Sequence, residues 1–352
     1  MHTFAESLLC WYRDHGRHDL PWQKDSSLYG TWLSEIRVQH TQVATAMSYY
    51  QLFMQRCPDI SALSQASQYD FLLHWAWLGY YSRARNLHKA ALIIAEQHQG
   101  NFPEQYETVL AIPGIGPSTA GAILAQALGQ RHAILDGNVK RVLARYQAIQ
   151  GWPGSLPVEK QLWQWAETYT PKQDLADYTQ AIMDLGATVC TRSSAKCEGC
   201  PLMDGCQAYQ TACVAELPTK KPKKVLPVRE KRFLIIRNNQ GDYLMEKRPP
   251  SGIWGGLWSL PELTMDLAVK KAVKQYCQLT VSDYSDLPVF RHSFSHFHLE
   301  ITPCEVLVAS AVGYFSDEER YQWCNDIKQL ALAAPVSAIF QANNRLKYGE
   351  ET

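Results

Sequence analysis

Cys190, Cys197, Cys200 and Cys206 are separated by six, two and five intervening residues, and four thiols in so short a run constrain the fold more than any other feature of the chain. Thiolates this close can wrap one tetrahedral ion or one polynuclear cluster, and the set suits either zinc or a [4Fe–4S] centre. Zinc ribbons use two Cys-x-x-Cys pairs, whereas here only Cys197 and Cys200 form one. The spacing therefore favours iron–sulfur over zinc and over unrelated buried thiols. Ten cysteines in 352 residues do not make the disulfide framework of a small secreted domain. Met1–Glu6 has no basic stretch leading into an apolar run, and no later segment approaches the ~18 apolar residues of a membrane span. A reducing, cytoplasmic setting with no membrane association is expected.

The cysteines also close one texture and precede another. From Phe4 to about Ala187 apolar residues recur at three- and four-residue intervals, the pattern of helices. Tyr69–Leu78 stops at Gly79, and Asn86–His98 is closed by Gly100 and Pro103. Beyond the cysteines, Glu216–Lys224 is built of prolines and charges that cannot form a core, which marks a linker. Phe233–Ile236 and Tyr243–Glu246 then flank Asn238-Asn239-Gln240-Gly241-Asp242 as a hairpin would. A helix near Asp266–Cys277 and later strand-like runs make this half mixed α/β. At 352 residues, against about 100–200 per domain, the expected plan is multidomain α and α+β: an all-α domain over 1–213, a linker over 214–228 and a mixed domain over 229–345.

A formal net charge of zero gives no bulk attraction to nucleic acid, so any such surface must come from local clusters. Arg83, Arg85 and Lys89 form one, Lys140, Arg141 and Arg145 another, and residues 219–232 hold seven basic residues against Glu230. A solvated face accounts for any one of them alone.

Three stretches point to chemistry. Leu110–Gly121 places Gly114 and Gly116 one residue apart before an apolar helical run that opens with Pro117. Such a turn either joins two helices or turns backbone N–H groups and a helix start toward a phosphate. Trp32–Val43 reads as a helix with Glu35, Gln39 and Gln42 on one face, either a solvated polar row or one that reads base edges. Asp136 precedes Val139, Val142, Leu143 and Tyr146 as an N-cap would, and a capping aspartate near a helix dipole stays ionised.

Taken together, the cysteine spacing and the Leu110–Gly121 hairpin followed by Ile134–Val142 resemble the endonuclease III and MutY-type adenine DNA glycosylases, from Phe4 to Leu299. The resemblance implies an all-α helix-hairpin-helix glycosylase domain with a [4Fe–4S] loop, followed by a Nudix-like domain. It implies one [4Fe–4S] cluster on Cys190, Cys197, Cys200 and Cys206, with Arg192 and Lys196 offered to phosphates and Ser194 where another lysine is common. Glu35 matches the acid that protonates adenine N7 and later helps activate water. Asp136 matches the aspartate that stabilises the oxocarbenium ion, and Asn138 its polar neighbour. Ser118 stands where bifunctional relatives carry a Schiff-base lysine, so water is the expected acceptor, with strand cleavage absent or feeble.

The same resemblance puts Trp22, in Leu20-Pro21-Trp22-Gln23, near the adenine pocket, and Gly114 and Gly116 on the phosphate backbone. Gln39-His40 replaces the usual Gln-Gln pair and follows Arg37 where an apolar residue is common. Tyr80 matches the residue that stacks beside 8-oxoguanine, and Ser295 and His296 match the tip of the lesion sensor. Pro249–Trp258 resembles a Nudix fold, but Lys270-Lys271-Ala272-Val273-Lys274-Gln275 lacks the acids that would hold Mg²⁺, which implies lesion reading without pyrophosphatase activity. The implied enzyme is a monomeric, monofunctional glycosylase of base excision repair. It would act on double-stranded DNA with adenine opposite 8-oxoguanine or guanine. A pyrimidine-lesion glycosylase/lyase is opposed by Ser118 and the second domain. A catalytically inert iron–sulfur DNA-binding protein would require that Glu35 and Asp136 never meet.

Overall fold

The computed structural model describes residues 3–24, 26–38, 43–67, 71, 75, 81–222, 225–309 and 320–348. The chain divides into two compact units, Met1–Gln65 with Asn86–Lys223, and Ala66–Arg85 with Lys224–Thr352.

The first unit is helical. Helices α1 (Phe4–His15), α2 (Pro21–Lys24), α3 (Leu28–Val38), α4 (Val43–Arg56) and α5 (Ile60–Gln65) precede α6 (Tyr81–Gln97), which enters this unit at Asn86. Then come α7 (Tyr106–Leu110), α8 (Pro117–Leu128), α9 (Gly137–Tyr146), α10 (Leu156–Tyr169), α11 (Leu175–Thr188) and the short α12 (Gln207–Gln210). Helix α1 opens with a capping box, in which Thr3 Oγ1 accepts from Glu6 N and Glu6 Oε2 accepts from Thr3 N. That arrangement is worth about 1 kcal/mol.

Helix α8 is the hub: it packs on α3, α7 and α11. Its sequence, PSTAGAILAQAL, explains this, because Thr119 to Ala125 are all buried and the small residues Ala120, Gly121, Ala122 and Ala125 among them let neighbouring helices come close. Leu8, Leu143, Leu162, Ile182 and Leu185 from four other helices form the adjoining core. Each such side chain contributes about 1.5–3 kcal/mol on burial. Of Trp32–Val43, read from sequence as one helix, α3 is described through Val38 and α4 from Val43, and residues 39–42 lie outside the described residues.

The proline- and lysine-rich run after the cysteines is fastened to this unit. Leu217 is buried, its carbonyl accepts from Arg145 Nε at 2.8 Å, and Thr219 Oγ1 accepts from Gly151 N at 3.1 Å.

The second unit holds a mixed sheet of β1 (Val228–Arg237), β2 (Tyr243–Lys247), β3 (Trp258–Ser259), β4 (Glu262–Leu263), β5 (Val281–Asp286), β6 (Phe290–Ser293), β7 (His298–Val308) and β8 (Tyr321–Cys324). Its main path runs β3-β2-β1-β7-β5, with β4 on β1, β6 on β7 and β8 on β2. Strands β1 and β7 are parallel from Val228↔His298 to Arg237↔Leu307, and the other pairs are antiparallel. Phe233–Ile236 is buried without alternation, as a strand covered on both faces requires. Helix α13 (Val269–Cys277) presses Val269, Ala272, Val273 and Cys277 against Leu234, Ile236, Cys304 and Val306. The closing helix is α14 (Ala334–Tyr348).

Candidate active site

Glu35 lies on α3 between residues that anchor the helix. Trp32, Leu33 and Ile36 are buried, and the Trp32 ring rests 5.2 Å from that of Phe102. The carboxyl points into the protein, where its Oε1 accepts from Gln126 Nε2 of α8 at 3.0 Å. Burial pushes its pKa up to about 7; the Gln126 hydrogen bond works against that rise and the negative charge of Asp136 adds to it. The two carboxyls are thus close enough to feel each other.

Asp136 is the N-cap of α9, as its place in the sequence suggested. Its Oδ1 accepts from Val139 N at 2.8 Å and its Oδ2 from Asn138 Nδ2 at 3.3 Å. Burial raises its pKa, while these hydrogen bonds and the nearby Arg141 charge favour the anion. Asn138 Oδ1 in turn accepts from Arg141 Nη2 at 2.8 Å. Arg141 also donates to Cys190 O at 2.7 Å and Gly186 O at 2.5 Å, so one guanidinium joins the aspartate's neighbour to the start of the cysteine loop. Ser118 Oγ accepts from Leu135 N at 2.9 Å and so fixes the residue just before Asp136 to the first turn of α8.

Trp22 on α2 is buried edge-on to Tyr50, with ring centroids 5.5 Å apart. The turn that carries it is held by Asp184 of α11, which accepts from Arg17 N and Nε at 2.8 Å each and from Gln180 Nε2 at 2.7 Å. Gln23 Nε2 then donates to Arg17 O at 2.7 Å. In the hairpin between α7 and α8, Gly114 has φ of +86° and a Cβ there would lie 2.9 Å from Asn86 Cβ, so both conformation and space demand glycine. Gly116 is the N-cap of α8, with Pro117 in its first turn. Gln39, His40, Gln42 and Tyr80 lie outside the described residues.

The four cysteines line one cavity of about 30 Å³, together with Val142, Arg145 and Leu185 among others. Burial pushes the Cys200 thiol up to about 12 and raises those of Cys197 and Cys206. Arg145, itself buried, sends Nη1 to Thr191 O at 2.7 Å and to Cys190 Sγ at 3.3 Å. No group of three or more His, Cys, Asp or Glu among the described residues converges as a single metal ion would require. Arg192 and Lys196, by contrast, stand exposed on the loop's outer side.

In the second unit, Ser295 and His296 are exposed at the β6–β7 turn, which Phe294 N closes by donating to Phe297 O at 2.9 Å. Beneath the tip Phe294 stacks on the buried Phe297 at 4.5 Å, and Arg229 covers Phe297 from 4.4 Å. Ser295 Oγ and His296 Nδ1 are 3.4 Å apart. Glu262 is ion-paired with Arg248 at 2.8 Å, and Lys270, Lys271 and Lys274 project from the exposed side of α13.

Sequence reasoning passed over Gln126 and Asp184, and took Arg141 and Arg145 only as members of a basic cluster. A signal for Gln126 existed: it is the one long polar side chain in α8, the least polar helix of the first half. Arg145 carried no such signal, since only the fold shows it turned inward.

Residues 33–168 match the model of the HhH-GPD superfamily of base excision DNA repair proteins, and residues 232–342 match that of the NUDIX domain. The adenine DNA glycosylase of Buchnera aphidicola subsp. Schizaphis graminum is 36% identical over 97% of this chain and 99% of its own length. The chain belongs to the adenine DNA glycosylase family. The Homo sapiens adenine DNA glycosylase is 34% identical, over 84% of this chain and 65% of the human one. A thermostable thymine-DNA glycosylase superposes with a TM-score of 0.53 at 25% identity, over 59% of this chain and 95% of that one. Endonuclease III from a non-covalent DNA complex shares the fold, with a TM-score of 0.50 at 19% identity, over 59% of this chain and 94% of its own. As an adenine DNA glycosylase the protein hydrolyses N-glycosidic bonds, and its helical and Nudix-like domains are those expected from the sequence. Among the described residues no helix is long and apolar enough to cross a membrane.

Proposed function

We propose that this adenine DNA glycosylase removes adenine mispaired with 8-oxoguanine, or with guanine, from duplex DNA, with Glu35 as general acid and Asp136 as the electrostatic stabiliser. The observation that carries this reading is the half-buried Glu35 carboxyl, bonded to Gln126, protonatable near pH 7 and within the field of Asp136. Breaking the bond to adenine sends an electron pair into the base and leaves positive charge on the sugar, so the chemistry needs a proton donor and an anion. General acid catalysis supplies roughly 10²–10⁴-fold, about 3–5 kcal/mol. Enzymatic accelerations run to about 8–23 kcal/mol, so charge stabilisation by Asp136 has to supply a large share of the remainder. Water then adds to the sugar, because Ser118 offers no amine and its Oγ is engaged with Leu135 N.

The adenine must leave the duplex, at a cost of a few kcal/mol that is smaller at a mismatch. The α7–α8 hairpin and the exposed Arg192 and Lys196 supply phosphate contacts for that step. A [4Fe–4S] cluster on Cys190, Cys197, Cys200 and Cys206 fits the cysteine loop. The four thiols line one cavity, and four cysteine thiolates are the donor set such a cluster takes. When bound, the cluster would supply the iron charge that keeps the four half-buried thiols ionised and a fixed frame for the loop. The Ser295–His296 tip supplies hydrogen-bonding groups able to tell 8-oxoguanine from guanine. Lys270, Lys271 and Lys274 stand on α13 in place of the acids that would hold Mg²⁺, which leaves the Nudix-like unit suited to reading a lesion without hydrolysing a pyrophosphate.

Single-turnover excision of adenine opposite 8-oxoguanine and opposite guanine tests the assignment of substrate. Wild type should favour the 8-oxoguanine duplex, and a Ser295→Ala, His296→Ala double variant should lose most of that preference while still excising. Equal rates on both duplexes by wild type would refute the lesion specificity.

A further inference from the structure

Helix α8 carries no charged residue, and one long polar side chain, Gln126, interrupts its run of Ala, Ile and Leu. That side chain meets the acid of the site: Gln126 Nε2 lies 3.0 Å from Glu35 Oε1. We infer that Gln126 is the positioning residue of the general acid, fixing which oxygen of Glu35 carries the transferable proton and holding the carboxylate left when that proton departs. The inference rests on the reading of Glu35 as the acid and adds to it a residue that tunes the acid's strength.

The amide nitrogen can only donate, so Oε1 facing it must accept. A neutral carboxyl has one O–H, and with Oε1 occupied as an acceptor the proton resides on Oε2. In the reaction the Oε2–H bond breaks, its electron pair stays on the carboxylate, and the proton goes to a ring nitrogen of adenine as the glycosidic pair moves onto the base. As charge builds on Glu35, the bond from Gln126 changes from neutral to charge-assisted and strengthens. An interaction stronger in the transition state than in the ground state raises the rate of the chemical step. Among the described residues, the groups that act on Glu35 are Gln126 from α8, which favours ionisation, and Asp136 from the α9 cap, which opposes it along with burial. Gln126 therefore keeps the carboxyl acidic enough to donate against two influences that hold its proton in place.

The test is the pH profile of single-turnover excision for wild type, Gln126→Leu and Gln126→Met, the second keeping an unbranched side chain in case leucine disturbs packing. Melting temperature verifies folding in each. Wild type should lose activity as pH rises through about 7. Both variants should be slower below that limb by roughly five- to tenfold, and their limb should lie at higher pH, so that their deficit shrinks in alkali. A merely structural role would lower the rate by the same factor at every pH, and that result, or a limb that does not move, would overturn the inference while leaving Glu35 as the acid. A wild type that excises adenine with no limb in this range would remove the acid assignment itself, and the role of Gln126 with it.

Discussion

Gly186 abuts Asn138 so closely that a Cβ on the glycine would fall 2.6 Å from the asparagine Cβ and 3.1 Å from its Cα. Asn138 holds Asp136 with its amide and takes Arg141 with its carbonyl, so the missing methyl of Gly186 is what lets α11 and the α9 cap meet. Gly186→Ala must displace backbone, and overpacking of this kind costs about 1–3 kcal/mol. The expected outcome is a lower melting temperature together with an excision rate reduced at least tenfold. Wild-type excision by the alanine variant would show that Asn138 does not position Asp136.

The acid also makes stability depend on pH. Below the ordinary value of 4.5 Glu35 is neutral folded and unfolded; between there and about 7 the unfolded chain gives up the proton first. Folding stability therefore falls as pH rises through that window, by at most about 3 kcal/mol. Glu35→Gln should melt higher than wild type at pH 8 and close to it at pH 4.5, as thermal unfolding at the two pH values will show. A variant less stable at pH 8 would mean that the carboxylate is better accommodated than its burial implies.

Ser118 separates two chemistries. Its hydroxyl serves Leu135 N, a residue only 4% exposed, so Ser118→Ala should lower stability by about 1–2 kcal/mol through an unsatisfied N–H. Borohydride added during excision by wild type should trap no efficient covalent complex with DNA, since no amine stands at this position. Stoichiometric trapping would establish imine chemistry from another residue.

The helical periodicity of the first half and the short apolar runs flanking a turn in the second revealed two kinds of domain, because both patterns record how an element is buried. Asp136 was legible as a cap for the same local reason: its partner Val139 N is three residues away. Gln126 and Glu35 are 91 residues apart, and nothing local announces a contact that depends on how α3 crosses α8. Arg145 shows the limit most clearly. Beside Lys140 and Arg141 it reads as surface charge, yet it is buried under the cysteine loop and its hydrogen bonds go to Thr191, Arg192 and Leu217. The run after the cysteines was legible as coreless overall, but Leu217 is buried, and a single apolar residue between Glu216 and Pro218 leaves no periodic trace.

The assignment of Glu35 as the proton donor is met most directly by single-turnover excision of adenine opposite 8-oxoguanine at pH 7, comparing wild type with Glu35→Gln and with duplex binding measured alongside. The variant should bind the duplex and excise at least about 100-fold more slowly, the scale of a lost general acid. Excision within tenfold of wild type by a folded, DNA-binding Glu35→Gln protein would contradict it.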